Sequence, residues 1–431
     1  MEEKRKKMMI LGASELQVPA IKKAKELGYQ VICVDYNEKA AGFLLADVKL
    51  IVSTLDQEEV YRQALIYRPD VVITSTSDGP VRTAAYVNEK LGKRPDLSYE
   101  NAQCATIKSK MRDRLKECGV PIPEYYAAAD YEAFEEAVGK LKGNCIVKPA
   151  DNAGSRGVVL LEASGVGNGV CARAEGAGRE PGYGARPDGG NGRLRDNREV
   201  YEYSRGHSRN GTVMVEEYMR GPEVSVEAIV VDGVPHILAV TDKYITPPPY
   251  FVELAHCEPS RLDERTQERI HAVAKQAIAA IGIENAPAHV EIKVTEEGPK
   301  IVELAARLGG DFITSKLVPL STGIDMVGAS VELATGKAPD LLPRRHRGAA
   351  IHFIHAEQGQ EGVLEEITVP DALYKTEGVE EISLYRAAGE HVEGTRSSND
   401  RLGHVITTGE TPKLAMELGE RVLSQIEVKL S

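Results

Sequence analysis

Two alternating segments joined by a turn constrain this chain more than anything else in it. His289-Val290-Glu291-Ile292-Lys293-Val294 alternates polar with apolar residues, and Ile301-Val302-Glu303-Leu304-Ala305 is read in the same way around Glu303. The four residues Glu296-Glu297-Gly298-Pro299 between them are turn chemistry. The pattern is that of a β-hairpin with one buried face. A hairpin centred on Glu297 sets Glu291 opposite Glu303. Directly opposed Cβ atoms lie roughly 4.5–5.5 Å apart, and like charges so placed repel. A solvated strand face carrying two acids is the plain alternative; a cation between the acids is the functional one. Paired carboxylates without nitrogen or sulfur ligands suit magnesium, with substrate phosphates completing the shell. His289 shares the strand face of Glu291, and Arg307 follows Glu303 by one helical-turn spacing, backed by Gly309-Gly310.

The remaining sequence sets this hairpin in a chain of about three domains, at roughly 150 residues each. Its 42% hydrophobic and 27% charged residues are those of an ordinary globular protein. The net charge of −12 disfavours non-specific nucleic-acid binding, which needs a basic surface. Cys33, Cys104, Cys118, Cys145, Cys171 and Cys257 show no CxxC spacing and read as reduced thiols. No apolar run approaches the length of a membrane span, and the basic start precedes too short an apolar run for a signal peptide. A cytoplasmic protein without membrane partners is expected.

Residues 8–103 alternate strand and helix: Met8–Leu11, a helix from Leu16 to Leu27, Gln30–Val34 closed by Asp35, and a strand from Val71. Such alternation predicts an α/β doubly wound parallel sheet. Only Gly12 of a dinucleotide-binding glycine pattern is present, so the fold is expected without a nicotinamide cofactor. Residues 104–345 form a central α+β region, and 346–431 a small C-terminal α+β domain. The last domain holds a strand at Ala349–Ile354 and a helix with Ala415, Leu418, Val422 and Ile426 on one stripe. Residues 164–192 carry ten glycines in 29 positions, a composition that cannot bury enough surface to order itself. That stretch reads as a disordered loop or as a disturbance of the reading frame.

Cys145-Ile146-Val147-Lys148-Pro149 is a strand that delivers a lysine just before Asn152-Ala153-Gly154-Ser155-Arg156-Gly157. A loop of this kind can close over phosphates with its N–H groups while the lysine supplies a point charge. Val213–Met219 then leads into a second strand at Glu223, placing Glu216, Glu217 and Glu223 at strand ends. Taken in order, these segments resemble the ATP-grasp superfamily of carboxylate–amine ligases over nearly the whole chain. Lys108, with Arg112, Leu115 and Gly119 after it, resembles the first nucleotide lysine, and Lys148 the second. Ser155 and Gly157 fall in the phosphate-covering loop, Glu216 and Glu217 in the adenine hinge, and Glu223 at the ribose-binding acid. Glu291 and Glu303 resemble the two metal carboxylates, and Arg307 the arginine that meets phosphate or the reaction intermediate.

The resemblance implies ATP and Mg2+, with Mn2+ as a substitute, and a reaction that joins a carboxylate to an amine through an acyl phosphate. It also makes a homodimer plausible. Ala305 stands where many members carry asparagine, which points away from carboxylases and towards L-amino-acid ligases of the bacilysin-synthetase type. An ATP-dependent carboxylating or carbamoyl-forming enzyme and a non-catalytic nucleotide-binding protein are the alternatives. Substrate contacts are expected from the rigid segment Tyr244–Tyr250, from Glu253 and from His256, which is read either as catalytic or as a satisfied structural histidine. Ser75–Asp78, at the end of a parallel strand, lies where doubly wound sheets bind ligands.

Overall fold

Met8 and Ile10 enter one hydrophobic core and Met9 and Leu11 another, so the first strand is covered on both faces. That is the burial pattern of a parallel sheet. In the computed structural model, which describes residues 5–93, 96–152, 156–163, 196–247, 251–356 and 360–431, the sheet has four parallel strands. Their order is Val48–Ile51, Gln30–Asp35, Lys7–Leu11, Val71–Ile73. The strand Val48–Ile51 was not foreseen: only Leu50 in it is buried, which leaves little apolar signal. Helices Val18–Glu26, Gln57–Tyr67 and Asp78–Lys90 cover the sheet.

The helix Lys108–Glu117 stops at Gly119, whose φ of 67° suits a residue without a side chain. Beyond it comes a small antiparallel sheet in the order Tyr125–Ala128, Val213–Glu217, Cys145–Pro149, Val159–Leu161. Helices Tyr131–Leu141 and Asn197–Gly206 seal its apolar side around Phe134 and Tyr201.

Opposite lies an eight-stranded sheet whose neighbouring strands are antiparallel: Gly298–Ala305, Pro287–Thr295, Glu223–Val231, Val234–Ile245, Glu253–Glu258, Gly348–Ile354, Gly403–Gly409, Val379–Leu384. The helix Glu264–Ile281 buries Ile270, Ala274, Ala277, Ile278 and Ile281 against the hairpin side. The C-terminal strands extend this sheet directly. The last helix, Pro412–Leu423, packs Ala415 and Val422 inward, and Ile426 lies just beyond its end. A three-stranded sheet of His391–Val392, Gly362–Thr368 and Glu427–Leu430 closes the chain. Among the described residues no single helix is long and apolar enough to cross a membrane. The segment 164–192 lies outside the described residues.

Candidate active site

Three neighbouring strands of the large sheet build one wall of a cleft by simple alternation. Val224, Val226 and Ala228 enter the core, which turns Glu223, Ser225 and Glu227 to the other face. On the next strand Val290 and Ile292 are core, leaving His289, Glu291 and Lys293 on the cleft side. The register lines these up in rows: Lys243, Glu223 and Lys293; then Ser225, Glu291 and Glu303; then Glu227, His289 and Ala305.

Pure alternation fails on the hairpin's second arm. Ile301 and Glu303 have the same parity, yet Ile301 is buried in the core and Glu303 lines the cleft. The ladder shifts here: Glu291 pairs with Glu303, but Ile292 pairs with Ile301. Val302 is therefore the extra residue of a β-bulge, which re-aims the side chains beyond it. The turn is Glu296-Glu297, with Thr295 opposite Gly298, half a residue earlier than a hairpin centred on Glu297. The bulge makes up the difference and leaves the two acids opposed.

The small sheet and the helix before it supply the facing wall. Lys108 Nζ lies 2.7 Å from Glu303 Oε1 and donates to the Asn152 carbonyl at 2.8 Å. Arg112, only 1% exposed, donates Nε and Nη2 to the two oxygens of Glu216, each at 2.9 Å. Lys148 Nζ lies 2.7 Å from Glu216 Oε2. Burial alone would raise the Glu216 carboxyl, but Arg112 and Lys148 outweigh it and hold it at about 2. Burial also pulls the Lys148 ammonium below its ordinary value, against the attraction of Glu216. With both its oxygens held by cations, Glu216 fixes Lys148 and Arg112 in the wall of the cleft. Glu217 points aside, accepting from the Glu124 N–H at 3.2 Å and lying 3.5 Å from Lys300.

Glu291 is neutralised from the sheet itself. Lys243 Nζ donates to Glu291 Oε1 at 2.8 Å and lies 2.9 Å from Glu223 Oε1, while Lys293 holds Glu223 Oε2 at 3.0 Å. Burial acts against the Lys243 ammonium, yet Glu223, Glu291 and Glu253 keep its pKa well above the ordinary value. His289 Nδ1 meets the buried Glu227 at 2.6 Å. Burial disfavours the imidazolium, but Glu227 prevails and raises it to about 9. The opposed acids thus each hold a lysine, which offsets their mutual repulsion.

Arg307 reaches the start of the helix Asp78–Lys90, donating Nε to Asp78 Oδ1 at 2.8 Å and Nη2 to Asp78 Oδ2 at 3.1 Å. Of the Ser75–Asp78 segment, Asp78 meets the cleft through this arginine. His256 is buried, with Nε2 3.1 Å from Asp311 Oδ2. Asp311 also receives Arg401 at 2.7 and 3.0 Å, and Arg401 donates to Glu253 Oε2 at 3.0 Å while lying over the Phe353 ring. Asp311 and Phe312 have φ values of 50° and 60°, strained for residues with side chains. Gly157, at φ 78°, packs so closely on His207 that a Cβ would lie 2.7 Å from that residue's own. Ser155 and the 248–250 part of the Tyr244–Tyr250 segment lie outside the described residues.

Lys243, Lys293, Asp311 and Arg401 escaped the reading of the sequence. The two lysines had a signal, since strand pairing sets both beside Glu223; Arg401 follows a short turn and had none. Residues 193–315 match the ATP-grasp domain family, and 352–431 match the L-amino acid ligase C-terminal domain 2. Residues 193–315 are therefore an ATP-grasp domain. The chain is 27% identical over 346 residues to an uncharacterized protein of Sinorhizobium fredii, covering 78% of the chain but 64% of that relative's length. It is 26% identical over 359 residues to the alanine–anticapsin ligase of Bacillus subtilis, covering 77% of the chain and 70% of that protein. Its fold superposes on an L-amino acid ligase from Bacillus licheniformis with a TM-score of 0.78, at 20% identity and full coverage of both chains.

Proposed function

We propose that this ATP-dependent carboxylate–amine ligase activates an amino acid as its acyl phosphate and passes the acyl group to a second amino acid. The carrying observation is one cleft that gathers Glu291 and Glu303 in register with Lys108, Lys148, Lys243 and Arg307 around them. Lys108 and Lys148 are the charges for the nucleotide's phosphates, and the backbone N–H groups around Gly157 belong to the loop beside them. Glu216 is assigned a positioning role for Lys148, and the strand end at Glu217–Met219 the flank of the base. Glu223 is assigned to the ribose.

The protein offers two carboxylates in register and, among the described residues, no cluster of three His, Cys, Asp or Glu side chains. That donor set fits Mg2+, which takes one or two carboxylates and leaves its other positions to phosphates. Glu291 and Glu303 would hold it, and it would supply charge neutralisation as phosphoryl transfer proceeds.

Arg307 is set between Asp78 and the cleft, where it can hold the transferred phosphoryl group or the oxyanion formed by amine attack. An amino acid carries both an ammonium and a carboxylate, and the wall made by Glu253, Arg401 and Asp311 offers groups of both signs. His256, held by Asp311, is assigned to orient the substrate there. The test is ADP release over a panel of amino-acid pairs, with and without bicarbonate. Release that needs two amino acids supports the assignment. Release that needs bicarbonate, or firm ATP binding with no release on any pair, counts against it.

A further inference from the structure

Lys243 has no part in the reaction as proposed, yet it is the cation most tightly enclosed by the acids of the hairpin wall. Its side chain is 4% exposed, and Nζ lies 2.8 Å from Glu291, 2.9 Å from Glu223 and 3.9 Å from Glu253. The oxygen of Glu291 that it engages also lies 3.4 Å from His289 Nε2. Glu303 is likewise engaged by Lys108 at 2.7 Å. A carboxylate oxygen must turn a lone pair to a metal, and here Oε1 of Glu291 faces Lys243 and His289 while Oε1 of Glu303 faces Lys108, which leaves a metal the Oε2 atoms beside those cations.

We propose that Lys243 is an internal counter-ion that keeps Glu291 closed to divalent cations until a nucleotide's phosphates arrive, so that metal loads only together with nucleotide. The inference rests on the nucleotide site proposed above. A metal arriving alone must either displace the buried Lys243 ammonium from Oε1 or bind Oε2 and face that ammonium at close range, a costly arrangement either way. Mg2+ also sheds water reluctantly and gains little from a single freed carboxylate. Phosphates reverse the balance, because their negative charge is shared by the metal and the lysine. Lys243 need not leave the wall in that exchange: Glu223 and Glu253 retain it when Glu291 turns to the metal.

The experiment is an Mn2+ titration read by the electron paramagnetic resonance of free Mn2+, on wild type with and without ADP and on Lys243→Gln and Lys243→Met without nucleotide, with the Mn2+ taken up by ADP alone measured separately and subtracted. Wild type should bind Mn2+ at least about tenfold more tightly with ADP than without, and both variants should gain about as much without it, the order expected on removing one competing ion pair. Adding Glu291→Gln to Lys243→Gln should abolish the gain. Equal Mn2+ affinity of wild type with and without ADP overturns the proposal, and that comparison decides even for variants that fold poorly. Unchanged affinity in well-folded variants overturns it as well. ADP uptake is followed in parallel by equilibrium dialysis: its absence overturns the nucleotide site, whereas ADP uptake with nucleotide-independent Mn2+ binding overturns the counter-ion role alone.

Discussion

Glu258 lies fully buried between two hydroxyls, accepting from Thr241 Oγ1 at 2.7 Å and Ser321 Oγ at 2.9 Å. Burial without a cation raises its carboxyl from 4.5 to about 8, although the two hydroxyls pull the other way. The folded state therefore holds a proton that the unfolded chain gives up above about 4.5, and stability from this group is lost as pH rises towards and through about 8. Glu258→Gln keeps the shape without the titration. Its stability relative to wild type should rise steadily between those pH values in urea denaturation, and parallel pH profiles would contradict the assignment. Glu258 and Glu216 look alike in the sequence, two glutamates at strand ends. Their opposite shifts come from Arg112 and Lys148, both remote in the chain, in one case and from the lack of any cation in the other, and neither is visible in one dimension.

At the scale of the element, the hairpin was legible from its apolar arms and its turn residues, and Glu291 does pair with Glu303, although the turn lies half a residue earlier and the bulge at Val302 restores the opposition. That bulge was not read, although the adjacent apolar Ile301 and Val302 already break strict alternation. Its fastening lies elsewhere: Arg112 donates to the carbonyls of Ile301 at 3.2 Å and Val302 at 2.7 Å while gripping Glu216. One buried guanidinium thus ties the helix Lys108–Glu117 to the hairpin and to the small sheet. Arg112→Met leaves Glu216 with Lys148 alone and frees two carbonyls, and should destabilise the fold by about 3–5 kcal/mol, as other broken buried ion pairs do. A loss below about 1 kcal/mol in denaturant unfolding would contradict that role.

Across the whole molecule the cleft is completed by parts far apart in the chain. The N-terminal region contributes Asp78, at the start of a helix, to Arg307 and a Ser75 carbonyl to the Leu308 N–H at 3.0 Å. The C-terminal region contributes Phe353, on a strand, and Arg401, just before one, to the wall beyond His256. The parallel sheet could be read from periodicity, and the ATP-grasp resemblance from short motifs taken in order, because both are local. Arg401 and Asp311 could not, because strand order in an eight-stranded sheet decides that they meet. The most direct measurement is hydroxamate formation from one amino acid, ATP, Mg2+ and hydroxylamine, with ADP counted beside it. Wild type should yield hydroxamate and ADP in equal amounts, and a folded Glu303→Gln should fall by at least about a hundredfold in both. ADP without hydroxamate, or undiminished hydroxamate from Glu303→Gln, would contradict an acyl-phosphate ligase built on the opposed glutamates.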